Sequence, residues 1–250
     1  MTTWPEGVGR RILPVTDSTM AEAARRAPDT VGTEWILALD QTAGRGRRGR
    51  PWSMPPGNFA ASLILHPSEP PQVVALRSFV AALALRDALI AVGADPAALS
   101  LKWPNDVLLE GGKLAGILLE SLGDGRGGLA HLVIGFGVNL AAAPDAAQLE
   151  PSAVRPVSLA ETADLVVAPE AFLDALATAY AAHEARFTTY GFGPIRTAWL
   201  AQAARLGEVI TARLPNDSVT GTFCDVDMEG NLVLETAKGR RPIAAADIFF

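Results

Sequence analysis

The sequence predicts an α+β protein with a small all-β module at its C-terminal end. Apolar residues at helical spacing indicate long helices over 72–92 and 169–190, and short apolar runs around and between them are typical of strands. From about 206 onward, the chain changes to short alternating runs separated by turn residues. We therefore expect an α+β domain over residues 1–204 and an all-β domain over residues 205–250.

Local start and stop signals place the elements of the first half. Thr19 and Glu22 have the spacing of a capping box, which predicts a helix from about 20 to 27. Leu76, Phe79 and Leu83 follow helical spacing and predict the helix over 72–92. Strands are expected at 35–41, 58–66 and 99–103.

The second half begins with a predicted hairpin. Gly111 and Gly112 form a turn between strands at 107–110 and 113–120. A Gly-rich loop at 122–128 leads to a buried strand at 129–140, bent at its glycines. The remaining expectations are a connector at 142–156, helices at 158–165, 169–190 and 194–203, and strands at 209–214, 219–224 and 231–235.

Composition restricts the class of protein. The 250 residues are 49% hydrophobic and carry a net charge of -6, which provides a large core and disfavours binding to nucleic acid over the whole surface. The single cysteine, Cys224, excludes an internal disulfide, and no apolar run approaches a membrane-spanning length. The N-terminus lacks the pattern of a signal peptide, so a cytoplasmic protein without a membrane partner is expected. The three histidines show no metal-ligand spacing, so no metal site is expected.

The most informative segment is 44–52, which carries four arginines and three glycines in nine residues. Arginine forks fit phosphates and carboxylates, and glycines let backbone N–H groups approach a ligand, so the loop is expected to close over a small polyanion. It fails as a dinucleotide fingerprint because Pro51 and Pro55 follow where a helix should begin. It fails as a P-loop because Arg50 and Pro51 replace the lysine and hydroxyl. A nucleic-acid patch and a solvated loop without a ligand stay open on the loop alone.

Four further motifs accompany the loop, and each has a simpler structural explanation. The turn at 102–106 presents Asn105 and Asp106, although an ordinary Asx turn would do the same. Lys113 lies at the mouth of an apolar strand, or merely in solvent at a hairpin. The two glycines of 135–139 fit close approach of a ligand, or equally a bulge or barrel corner. The hydroxyls of 17–19 fit an anion site at a helix N-terminus, or plain capping.

Taken together and in order, these motifs resemble the biotin protein ligase family. The matching segments are Asp17-Ser18-Thr19, QTAGRGRRGRPW at 41–52, KWPND at 102–106, GKLAGI at 112–117 and GFGVN at 135–139. The resemblance extends over about 12–250. It implies a central mixed β-sheet flanked by helices, as in class II aminoacyl-tRNA synthetases and biotin–lipoate ligases, with a small C-terminal SH3-like β-barrel. It also implies a short form without the N-terminal DNA-binding domain of some members, hence no sequence-specific nucleic-acid partner.

The resemblance implies an ATP-dependent, AMP-forming ligase. Biotin is first joined to ATP, giving biotinyl-5'-adenylate, and then passed to one lysine of a biotin carboxyl carrier protein. The substrates are biotin and ATP with Mg²⁺, which the phosphates would hold largely by themselves. Two anions must meet in the first step, and preorganised cations aimed at that charge are usually a large catalytic term.

The resemblance also assigns residues to roles. Lys113 would bridge the biotin carboxylate and the phosphate, and Asp106 would orient or deprotonate the acceptor amine, a role inferred from its carboxylate. The implied catalytic residues are Lys113, Arg47, Arg45 and Asp106. The implied biotin-binding residues are Ser18, Thr19, Gln41, Thr42, Gly44, Arg45, Arg47, Lys113, Gly116, Ile117 and Gly135. The implied ATP-binding residues are Arg47, Arg48, Arg50, Trp52, Asn105, Lys113 and Asn139.

One departure and three alternatives remain at this point. Met20 stands where the family often has asparagine, which leaves open its contact with biotin. A lipoate ligase would share the fold and the use of ATP. An octanoyl transferase needs a cysteine nucleophile, and Cys224 lies far in sequence from every motif. A non-catalytic adenylate-sensing or RNA-binding module could also use the arginine loop. The oligomeric state is left open, with a homodimer as one option.

Overall fold

The computed structural model describes residues 4–123, 129–145, 154–214 and 217–249. Its larger sheet is built from seven strands, which are β1 (Gly9–Leu13), β2 (Glu34–Ala38), β3 (Phe59–Leu65), β4 (Leu99–Lys102), β5 (Asp106–Leu109), β6 (Gly112–Gly123) and β7 (Leu129–Val138). They lie in the order β1-β2-β3-β7-β6-β5-β4. Strand β1 is parallel to β2, and the other neighbouring pairs are antiparallel. The predicted central mixed sheet is confirmed.

Helices cover both faces of this sheet. They are α1 (Thr19–Arg26), α2 (Pro71–Ala75), α3 (Arg77–Ala91), α4 (Leu159–Ala163), α5 (Pro169–Tyr190) and α6 (Phe192–Leu200). Alternating residues of β2 serve the two faces: Trp35 and Leu37 belong to the main core with α3 and α5, whereas Ile36 packs with Met20 and Ala23 of α1. The period-two alternation of strands produces this division of side chains between the two faces.

Two predicted elements differ in detail from the structure. The helix predicted over 72–92 is divided into α2 and α3 at Leu76, which is buried and directs its side chain towards Gly230 of the C-terminal sheet. The predicted hairpin is confirmed, but its turn is formed by Glu110 and Gly111, both with positive φ, and Gly112 already belongs to β6. Parts of the predicted Gly-rich loop and connector, 124–128 and 146–153, lie outside the described residues.

The predicted all-β module is a five-stranded antiparallel sheet. Its strands are β8 (Val209–Arg213), β9 (Ser218–Val226), β10 (Leu232–Thr236), β11 (Gly239–Ile243) and β12 (Asp247–Phe249), in the order β11-β10-β9-β8-β12. The inward residues Ile210, Phe223 and Leu234 belong to the same buried cluster as the core of the larger sheet. This shared core fixes the small sheet against the rest of the protein.

Candidate active site

A cavity of about 720 Å³ opens between the start of α1, the arginine loop, the turn before β5 and the middle of β6 and β7. All the site residues predicted above line it, with the exception of Arg48. They are Ser18, Thr19, Gln41, Thr42, Gly44, Arg45, Arg47, Arg50, Trp52, Asn105, Asp106, Lys113, Gly116, Ile117, Gly135 and Asn139. The fold therefore brings together motifs that are separated by more than 100 positions in the sequence.

The glycines of β6 and β7 form a groove for two side chains that line the cavity. A Cβ atom at Gly137 would lie 2.4 Å from Cε2 of Trp52, and one at Gly135 would lie 2.6 Å from Sδ of Met20. Strand β7 keeps a continuous register with β3 and β6 through both glycines. The bulge considered for this segment is therefore wrong. The glycines are required because an indole and a thioether rest directly on the sheet.

One end of the cavity is a buried polar recess at the start of α1. Gln41 Oε1 accepts hydrogen bonds from the Thr19 backbone N–H at 2.8 Å and from the Thr19 hydroxyl at 3.2 Å. Ser62 Oγ donates to Thr19 Oγ1 at 2.9 Å. Ser18, Thr19 and Ser62 are each less than 5% exposed. The three buried hydroxyls and the half-buried Gln41 amide form a preorganised set of donors and acceptors.

The predicted capping box is wrong, because Ser18 is the N-cap residue and Thr19 is already the first residue of α1. The distant Gln41 side chain, rather than a local cap, satisfies the Thr19 N–H group. Gly44 is needed beside Gln41, since a Cβ there would lie 2.3 Å from Gln41 Nε2. The recess is thus held together by the segment that precedes the arginine loop.

The other end of the cavity is cationic. Lys113 Nζ lies 2.7 Å from Asp106 Oδ1, and the ammonium group stands 5.9 Å from the centre of the Trp52 ring. Arg47 Nη1 donates to Asn105 Oδ1 at 3.5 Å. Burial lowers the pKa of Arg47 and the pKa of Lys102. Burial deprives these cations of water, so a bound anionic group would be stabilised by them and would replace part of the lost solvation.

Two asparagine side chains of the cavity wall form hydrogen bonds with the backbone next to these cations. Asn105 Nδ2 donates to the carbonyl of Ile117, and the Ile117 N–H donates to the Asn105 carbonyl at 2.9 Å. Asn139 Nδ2 donates to the Val157 carbonyl at 3.0 Å. Its Oδ1 is buried without a hydrogen-bond partner among the described residues. A buried acceptor of this kind is ready for a ligand donor.

The arginine loop is itself folded as a small closed turn. Gly46 N–H donates to the Arg50 carbonyl at 2.7 Å, and Trp52 N–H donates to the Gly44 carbonyl at 2.9 Å. The tip has left-handed backbone at Arg48 and Gly49, with φ of 57° and 72°. Arg45 contacts Glu120 at 2.8 Å. The Arg48 guanidinium lies 2.6 Å from Asp247 of the C-terminal sheet, which accounts for its absence from the cavity wall.

Sequence reasoning missed four residues at this site: Lys102, Gly137, Ser62 and Asp247. Lys102 and Gly137 belong to segments already recognised, so their motifs were the available signal. Ser62 and Asp247 reach the site through tertiary contacts and carry no local sequence signal. In the described parts of the chain, no group of three or more His, Cys, Asp or Glu side chains is arranged to hold a metal. Within the same parts, no helix has the length and apolar character needed to cross a membrane.

A polar recess that adjoins a cationic cluster defines a site for a small molecule with polar and anionic groups. Comparison with known proteins identifies the class. Residues 10–139 match the Biotin/lipoate A/B protein ligase family, and residues 206–250 match the Biotin protein ligase C terminal domain. The chain belongs to this family.

Individual relatives give the same result. The chain is 54% identical over 239 residues to the Biotin--[acetyl-CoA-carboxylase] ligase of Paracoccus denitrificans, covering 96% of this chain and 99% of the relative. It is 33% identical to the enzyme of the same name from Mycobacterium tuberculosis, covering 97% and 90%. In fold it is similar to biotin protein ligase from Aquifex aeolicus in complex with biotin and ATP, with a TM-score of 0.79, 24% identity and coverage of 96% and 97%.

Proposed function

We propose that this chain is an ATP-dependent biotin–protein ligase that acts on the biotin carboxyl carrier protein of acetyl-CoA carboxylase or a related biotin carboxylase. The observation that supports this proposal best is a single cavity, in a member of this family, that contains both the buried polar recess and the Lys113–Asp106 pair. The full-length relative named for acetyl-CoA carboxylase supports the choice of acceptor. A sequence with one cysteine cannot form an internal disulfide, which supports a cytoplasmic site of action. A homodimer stays a prediction.

The recess at the start of α1 suits the ureido group of biotin. Ser18 and Thr19 supply buried donors and acceptors together with the half-buried Gln41 amide, and Thr42, Gly44 and Gly116 border the same space. Apolar surface from Met20 and Ile117 lies next to it and suits the hydrocarbon chain. A pocket with few fixed polar groups within apolar walls is the usual design for a small ligand.

The cationic end suits the triphosphate and the adenine of ATP. Arg45, Arg47, Arg50 and Lys113 face this space with positive charge, and the Trp52 indole offers a flat surface. The unpartnered Asn139 Oδ1 is a suitable acceptor for the exocyclic amine of adenine. The role proposed for Arg48 stays a prediction, since its guanidinium contacts Asp247 in this structure.

Magnesium fits the donor set at this end. Asn105 Oδ1 and the Asp106 carboxylate are oxygen donors on the cavity wall, where they contact Arg47 and Lys113. Mg²⁺ commonly binds through one or two side-chain oxygens and the phosphates of its nucleotide. When bound, it would offset phosphate charge.

In the first step, a biotin carboxylate oxygen forms a bond to the α-phosphorus of ATP, and pyrophosphate leaves with the electrons of the broken P–O bond. Lys113 is placed to reduce the repulsion between the two anions, because its ammonium group stands beside Asp106 and the Trp52 ring. In the second step, the acceptor lysine amine attacks the mixed anhydride carbonyl and AMP leaves. Asp106 is the carboxylate placed to orient that amine and accept its proton.

The position of the single cysteine tests the alternative of an octanoyl transferase, which needs a cysteine nucleophile. Cys224 lies on β9 of the C-terminal sheet, and its Sγ donates to the Val233 carbonyl at 3.3 Å. It does not line the cavity. A mechanism with a cysteine nucleophile therefore has no thiol at this site.

Lys113→Ala tests the proposal most specifically. We expect biotin-dependent pyrophosphate release to fall by about 10²- to 10³-fold, the usual effect of removing one group that stabilises developing charge. Lys238→Ala is the matched control, because Lys238 is exposed at the turn between β10 and β11. Near-normal turnover in Lys113→Ala would contradict the role of Lys113, whereas equal loss in both variants would indicate a general defect.

A further inference from the structure

A carboxylate of the C-terminal sheet contacts two arginines at the tip of the arginine loop. Asp247, the first residue of β12, lies 2.6 Å from Nη1 of Arg48 and 3.2 Å from Nη2 of Arg50, both through Oδ2. The Asp247 side chain is only 16% exposed and lines the cavity. We call Arg48, Arg50 and Asp247 the loop latch.

The sheet that carries Asp247 is itself firmly attached. Trp103 Nε1 donates to the Gly230 carbonyl at 3.1 Å, and Arg196 donates to the Val226 carbonyl and the Asp225 carboxylate. Ile248, the next residue of β12, is 5% exposed and belongs to the main core. Asp247 therefore holds the loop tip to a rigid surface instead of following its motion.

The charge balance explains why a carboxylate can stand in a site for anions. An isolated carboxylate beside a triphosphate would repel it, but two guanidinium groups neutralise Asp247. Arg47, directly before Arg48 in the turn, instead directs its guanidinium to Asn105 on the cavity wall. Fastening the tip thus keeps Arg47 directed into the cavity.

We propose that Asp247 is a positioning residue that holds the arginine loop closed over the nucleotide end of the cavity. The inference rests on the proposed function only for its effect on the adenylate. Loss of the latch opens the loop more often, so the reactive mixed anhydride escapes sooner and water reaches it. The C-terminal sheet thereby contributes to retention of the intermediate.

Limited trypsin digestion of the ligand-free protein tests the latch without requiring activity. Trypsin can cut after Arg45, Arg47 and Arg48, and Pro51 protects the bond after Arg50. Asp247→Asn keeps the side-chain shape, and we expect the first cuts within 45–49 to be about 3- to 20-fold faster, since cleavage follows the population of the open loop. Asp217→Asn, which removes an exposed carboxylate near Arg241 on the same sheet, should keep the wild-type rate.

Two further readouts separate positioning from a general structural defect. Arg50→Gln should raise the cleavage rate when Asp247 is present but have a smaller effect in Asp247→Asn, because the two side chains contact each other and their substitutions are therefore non-additive. With the active enzyme, Asp247→Asn should release adenylate at least about threefold faster.

The latch is overturned if Asp247→Asn is cut at the wild-type rate, if Asp217→Asn is cut equally fast, or if the cuts in Asp247→Asn spread over the whole chain. It is also overturned if adenylate release is unchanged in an active variant. If the wild-type protein forms no adenylate, the proposed function fails, and the digestion rates still decide the latch.

Discussion

Gly137 lies directly under the Trp52 indole, so an added methyl group at this position tests the geometry of the nucleotide end. An alanine Cβ would lie 2.4 Å from Cε2 and 2.7 Å from both Cζ2 and Nε1 of the ring. Ordinary van der Waals contact begins at 3.4 Å, so the ring must move by about 3.4 - 2.4 = 1.0 Å. Gly137 stands in regular strand register, and its φ is not positive, so the backbone itself accepts alanine.

The displacement gives the expected magnitude. A misplacement of about 1 Å in a positioning group costs about 10²-fold in rate, equivalent to ~2.7 kcal/mol of activation free energy. The free energy of unfolding should fall by only ~1 kcal/mol, near the low end for overpacking, because Trp52 borders the cavity and can turn into it. Gly137→Ala should therefore lose activity while it stays folded.

Pyrophosphate release with biotin and magnesium-ATP measures the loss as kcat/KM. Gly193→Ala is the control, since a Cβ there meets nothing within 4 Å and the residue lies in α6. Combining Gly137→Ala with Trp52→Phe should restore part of the activity relative to Gly137→Ala alone, because the smaller ring relieves the contact. Wild-type kcat/KM in Gly137→Ala would refute the reasoning.

Three further predictions concern the supports of the cavity. Asn58→Ala should lower the free energy of unfolding in urea by ~3 kcal/mol, because the buried amide makes three hydrogen bonds to the backbone of 141–142; an unchanged midpoint would contradict this. The Arg25 guanidinium holds the pKa of the Asp17 carboxyl well below its ordinary 3.8, so the stability it provides is present above that pH and is lost as the pH falls below it. Asp17→Asn should then lower the free energy of unfolding only slightly at pH 7, since the pair is half exposed, and the difference from wild type should shrink below pH 3.8; a constant difference would refute it. Arg47→Ala should leave the melting temperature unchanged but speed escape of the adenylate, as measured by filter binding, and equal escape rates would argue against loop closure.

Local sequence signals accounted for much of the fold. The apolar stripe of α5 and the hairpin of β5 and β6 are encoded within a few positions and are confirmed, although the turn lies one residue earlier than predicted, at Glu110 and Gly111. Strands β1, β11 and β12 were missed, since arginine-rich GRRIL and GRRPI do not read as apolar alternation. Strands β1 and β12 pair with β2 and β8, which are distant in sequence and leave no local pattern, whereas β11 pairs with the adjacent β10 across a short turn.

The site shows the same division. Lys113, Asp106 and the arginine loop stand out because their residue types are unusual in those settings, and the cavity brings them together. The Thr19 N–H group donates to the distant Gln41 side chain and not to a neighbouring cap residue, so the capping box predicted from the sequence is wrong. Asp247 is separated from Arg48 by 199 positions, and only the packing of the small sheet brings the two side chains together.

The most direct test of the account is pyrophosphate release from the purified protein with magnesium-ATP, comparing biotin, lipoate and octanoate as the acid, followed by transfer of labelled acid to a biotin carboxyl carrier protein. The polar recess at Ser18, Thr19 and Gln41 predicts release with biotin alone and label on one carrier lysine. Release with lipoate but not biotin, or with none of the three acids, would contradict the account.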